Sequence, residues 1–168
     1  PIYVTSLPDD LRRSSSGSQI SCVFVDDEFV SEARWPDASL RNILSLNSWA
    51  LTSGASALGR VVDSSRGPAA VDGRSGLAAS GVDWTGARAT LNVGDRFTTY
   101  VRIVKNHSAG SDRFNYNANL GPGPGAPKAG DPKWGEGGRF WLSGKRAALD
   151  CPGEWFLDQA THKLYLWA

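Results

Sequence analysis

Glu154-Trp155-Phe156-Leu157-Asp158-Gln159-Ala160-Thr161-His162-Lys163-Leu164-Tyr165-Leu166-Trp167 reads as two strands of five residues joined by a four-residue connection. Both runs are rich in aromatic and large apolar side chains, and the connection has hairpin length. The same grammar recurs upstream. Ala87, Ala89, Leu91 and Val93 alternate with Arg88, Thr90 and Asn92, which predicts a strand with one apolar face. After Gly94-Asp95, residues Phe97, Val101 and Ile103 fall on one face of a second strand, opposite Tyr100 and Arg102. Cys22-Val23-Phe24-Val25 reads as a short buried strand ended by Asp26-Asp27, and Phe29-Val30 resumes an extended run toward Trp35-Pro36. Arg139-Phe140-Trp141-Leu142 supplies another strand.

These segments predict an all-β fold: one two-sheet antiparallel β-sandwich over residues 1–168, jelly-roll-like, with long Gly/Pro-rich loops. Leu40–Leu44 and Ser48–Leu51 fit a helical turn or a short strand equally well, and Gly67-Pro68 and Asp72-Gly73 are turn signals. Gly121 to Gly138 holds seven Gly and four Pro in eighteen residues, a density that no regular element survives.

The net charge of +1 gives no electrostatic reason to expect nucleic acid as a partner. No apolar run approaches the ~20 residues of a membrane helix, so no membrane partner is expected. The chain has no Met and starts on the strand-like Pro1-Ile2-Tyr3-Val4, which suggests a piece of a larger protein. Cys22 and Cys151 either close one long loop, worth roughly 3–5 kcal/mol in the chain-entropy model, or stay buried as free thiols.

Two segments carry a family resemblance. Val23-Phe24-Val25-Asp26-Asp27 with Ala33-Arg34-Trp35-Pro36 resembles the pattern F-V-D-G…A-R-W-P, with Asp27 in place of the usual Gly. Leu149-Asp150-Cys151-Pro152-Gly153-Glu154-Trp155, followed by Leu164-Tyr165, resembles L-D-x-P-G-E-W…L-Y. Both are signatures of a β-rich accessory domain inserted in bacterial right-handed parallel β-helix proteins, mostly carbohydrate-active. The resemblance implies a secreted, extracellular or periplasmic location, a β-helix following Ala168, and polysaccharide or oligosaccharide as partner. It implies a non-catalytic binding or accessory role. The other roles open to such a domain are structural packing on the parent β-helix, or lending residues to a glycoside hydrolase or lyase site.

Candidate site residues follow from chemistry. Glycosidases need two carboxylates about 5–10 Å apart. Glu154 and Asp158 on one strand stand about 13 Å apart, and Asp150 lies across a Pro-Gly turn, so no catalytic residue is assigned. Glu154 and Asp150 are instead expected to fix turns and pair with Arg34 or Arg139; Asp26 or Asp150 is the expected partner of Arg34. His107 and His162 lack a second ligand at zinc spacing. Structural calcium is compatible with the Asp-rich loops, although no ligand spacing is diagnostic and the metal ligands stay unknown. Sugar C–H faces pack on aromatic rings, so Trp134, Tyr116 and Trp84, with Asn115 and Asn117 for hydroxyls, are the candidate carbohydrate-binding residues. The alternative for these aromatics is burial, either pinning a compact loop or filling the core.

Overall fold

The computed structural model describes residues 1–8, 22–65, 76–118 and 132–168. Gly67-Pro68, Asp72-Gly73 and the Gly/Pro-rich run 119–131 lie outside them. The described residues form twelve strands in two sheets, with only 3-10 turns between them. Among them, no helix is long and apolar enough to cross a membrane.

The C-terminal hairpin forms as read. Strand β11 (Glu154–Asp158) pairs antiparallel with β12 (Lys163–Trp167), from Glu154↔Trp167 to Asp158↔Lys163. Asp158 Oδ1 accepts the N–H groups of Ala160 and Thr161, which closes the connection. Strand β1 (Ile2–Ser6) adds to β12 on one side. On the other side, β3 (Glu28–Glu32) adds to β11, followed by β2 (Val23–Val25), giving the order β1-β12-β11-β3-β2. The β3–β11 pair is parallel, with Glu154 opposite Ser31, a parallel seam within the otherwise antiparallel two-sheet sandwich that the sequence predicts. Strand β2 is not buried. It is the last strand of its sheet, and Phe24 is 62% exposed and packs edge-on against Phe29.

The β2–β3 turn explains why Asp27 can replace Gly. Val25 pairs with Glu28, leaving Asp26 and Asp27 as the two loop residues, at φ 50° and 65°. Positive φ at both central positions is the signature of a type I′ hairpin turn, and Asp tolerates that region better than most L-residues.

The second sheet runs β4 (Arg34–Trp35), β10 (Arg139–Ser143), β7 (Arg88–Asn92), β8 (Tyr100–Asn106), β9 (Arg113–Tyr116), β6 (Arg60–Val62), and β5 (Ala50–Leu51) also pairs with β10. Ala87, Ala89 and Leu91 are fully buried, as their alternation predicts. The partner strand faces the other way from its sequence reading. Ala89 pairs with Arg102 and Leu91 with Tyr100, which puts Tyr100 and Val104 on the core side. Val101 and Ile103 stand opposite Thr90 and Arg88, on the face away from Ala89 and Leu91, and are more than half exposed. The reason is a wide turn. Phe97 belongs to the connection, not to the strand, and is 85% exposed. The core between the sheets is built from Leu91, Phe140, Leu142, Phe114 and Trp35, with Tyr165 reaching in from β12. The ring of Phe140 packs against those of Trp35 and Phe114.

Candidate functional site

Where β3 leaves one sheet and becomes β4 of the other, Arg34 is carried into the interior, 4% exposed. Its guanidinium lies 4.6 Å from the centre of the Trp141 ring. Nε donates to the Pro36 carbonyl at 2.9 Å and Nη2 to the Ser48 carbonyl at 2.8 Å. Burial lowers its pKa to about 10, and the charges of Asp37 and Glu154 oppose that shift.

Glu154 opens β11 beside Ser31 and is 1% exposed. Neither carboxylate oxygen has a hydrogen-bond partner among the described residues. The Cys151 thiol and the Asp150 backbone act on it weakly, short of a formed hydrogen bond. Burial, reinforced by the charges of Asp37 and Asp150, pushes the carboxyl up to about 8. The expected pairing of Glu154 with Arg34 or Arg139 is therefore not made as a hydrogen bond. Burial, with Glu154 and the two aspartates, also pushes the Cys151 thiol up to about 12. Donor atoms of Asp37, Asp150 and Cys151 all lie within 4.8 Å of one another. A protonated carboxyl near two aspartates has the chemistry of a general acid. Its oxygens are nevertheless inaccessible and cannot reach a glycosidic oxygen as they stand.

This cluster borders a cleft of about 1010 Å³. One wall is the β2–β3 hairpin, with Asp26, Glu28 and Phe29; another is the segment from Asp37 to Asn42. The turn Cys151–Gly153 and the end of β12, with Leu166 and Trp167, complete it. Phe29 and Trp167 are half-buried, and Leu40, Arg41 and Asn42 are exposed. The cleft thus combines aromatic and aliphatic wall with charged and amide groups at its mouth.

The aromatics singled out from the sequence lie elsewhere. Trp84, Tyr116 and Trp134 expose 1%, 4% and 5% and belong to the core. A ring must offer an open face to stack on a sugar, so burial corrects the reading of these three as a platform. Trp84 Nε1 donates to Ser80 Oγ, and its backbone N–H donates to His107 Nδ1. Trp134 packs near Tyr100, with ring centres 6.5 Å apart. Asn115, paired with Arg60 and Asn106, is half-buried, and Asn117 is exposed. Cys22 and Cys151 are both free thiols, and Cys22 is exposed, so neither the long-loop disulfide nor the pair of buried thiols is formed. Sequence reading missed Asp37 and its proximity to Cys151 and Asp150. The available signal was the position of these residues beside the two family-like motifs.

No family model matches the chain, and no curated protein does. Among solved structures, the chain is similar in fold to a protein described as a glycoside hydrolase, at a TM-score of 0.54 and 15% identity. The match covers 99% of this chain but only 26% of that protein, so the chain spans about a quarter of its neighbour's length.

Proposed function

We propose that this chain is a non-catalytic carbohydrate-binding accessory domain of a secreted polysaccharide-degrading β-helix enzyme, and that it takes glycan in the cleft beside Glu154. The observation that carries the reading is the make-up of that cleft. Phe29 and Trp167 supply aromatic surface for sugar C–H faces, and Asp26, Glu28, Arg41 and Asn42 supply partners for hydroxyls. The fold likeness to a quarter of a glycoside hydrolase, over nearly the whole of this chain, supports the setting. So does the inaccessibility of the Glu154 oxygens, which disfavours catalysis here.

Screening the chain against a panel of plant and bacterial polysaccharides tests the proposal. Binding is expected to fall about tenfold or more in the exposed-residue variants Arg41→Ala and Asn42→Ala, with Tm unchanged. Absence of binding to every polysaccharide at millimolar concentrations overturns it.

One observation favours a structural role on the parent β-helix as a second reading. Strand β1 ends its sheet with Ile2, Tyr3 and Val4 each about half exposed, and natural edge strands are usually covered or charged. If β1 is an interface, Tyr3→Asp in the intact parent protein lowers its Tm and leaves glycan affinity unchanged. An unchanged Tm removes this reading.

A further inference from the structure

We propose that Asp37, Asp150, Cys151 and Glu154 form a closed, four-ligand structural site for a divalent ion of the zinc type. Three of the four donors are already gathered within 4.8 Å. Ligands of one zinc ion, at bond lengths of about 2.0–2.3 Å, stand at most about 4.6 Å apart. The trio is therefore within a small side-chain adjustment of one coordination sphere.

The independent observation is Glu154. A carboxylate that is 99% buried with both oxygens unpartnered is costly unless something satisfies it. It shares a wall of the cleft with Asp37 and Cys151 and interacts electrostatically with Asp37, Asp150 and Cys151. Arg34 does not settle the account, because two of its guanidinium nitrogens donate to the carbonyls of Pro36 and Ser48. The thiol selects the class of ion. Sulfur is a poor ligand for calcium or magnesium and a good one for zinc. On binding, Cys151 loses its proton to solvent, and the thiolate enters the sphere. The site joins the segment just after β4 to the start of β11, a bridge between residues more than a hundred apart in sequence.

The test uses the chain stripped with a chelator, and no glycan enters it, so it fails or succeeds independently of the carbohydrate reading. Zn²⁺ is expected to bind at one ion per chain and to raise Tm by several degrees, whereas Ca²⁺ and Mg²⁺ do not. Co²⁺ is expected to show a thiolate-to-metal charge-transfer absorption that disappears in Cys151→Ser. The exposed-residue variant Asp150→Asn should weaken Zn²⁺ binding about tenfold or more while folding normally. Three results overturn the proposal: no bound zinc in the wild-type chain, a Tm rise that is equal in the variants, or stabilisation by Ca²⁺ without a cobalt–thiolate band.

Discussion

Replacing Trp134 by Ala separates a buried core ring from a sugar platform. Trp134 is 5% exposed and packs near Tyr100. Its ring also lies against Gly94, where even an added Cβ would meet it at 3.4 Å. A buried Trp removes about 150–250 Å² from water, worth about 4–6 kcal/mol at ~25 cal/mol per Å². Large-to-small core substitutions of Trp cost about 3–5 kcal/mol. We therefore expect Trp134→Ala to destabilise the chain by about 4 kcal/mol. At about 2–4 °C per kcal/mol for a domain of this size, Tm falls by roughly 8–16 °C. Urea unfolding followed by far-UV circular dichroism reads the loss, which should appear as a lower midpoint with an unchanged slope. Below its new Tm the variant should bind glycan like the wild type. A loss under about 1 kcal/mol, accompanied by loss of glycan binding, would refute the reasoning and restore Trp134 as a surface platform.

Two further predictions concern the scaffold. His107 is 8% exposed, its Nδ1 accepts the Trp84 N–H, and burial holds its pKa below the ordinary value near 6.5. The neutral ring is the folded form, so stability is held above pH ~6.5 and lost as pH falls through the depressed folded value. His107→Gln should flatten that acid limb in a Tm-versus-pH series, and an unaltered limb counts against the assignment. Asp27→Gly should stabilise the β2–β3 hairpin by about 0.5–1 kcal/mol: it relieves ~1–2 kcal/mol of left-handed strain against ~0.4–1 kcal/mol of added unfolded-state entropy. A lower denaturation midpoint for this variant would contradict the turn geometry.

The hairpins were legible because alternation and turn chemistry are local. Glu154–Trp167 needs no distant partner to be recognised, and the buried face of Ala87 to Val93 follows from period two alone. The orientation of Tyr100–Asn106 was not legible, because Phe97 looks like a strand residue until the wide turn removes it from the register. Loop aromatics misled for a related reason. Gly/Pro density around Trp134 shows irregular backbone, not exposure, and an irregular segment can still deliver a ring to the core. The cluster at Glu154 was hidden most deeply. It depends on the parallel seam Glu154↔Ser31, which brings residues near 31–37 beside 150–154. No spacing rule within one segment encodes a seam of that sequence separation. The motifs around Trp35 and Glu154 pointed to the place without showing what assembles there.

The most direct test of a glycan-binding cleft is an amide NMR titration of the isotope-labelled chain with a polysaccharide fragment selected from the panel. Shifts are expected to be confined to residues bordering the cleft: Asp26, Glu28–Ser31, Asp37–Asn42, Cys151, Gly153–Glu154 and Leu166–Trp167. Shifts clustered instead around Trp84, Asn115–Asn117 and Trp134, or none with any glycan, would contradict a glycan site in the cleft.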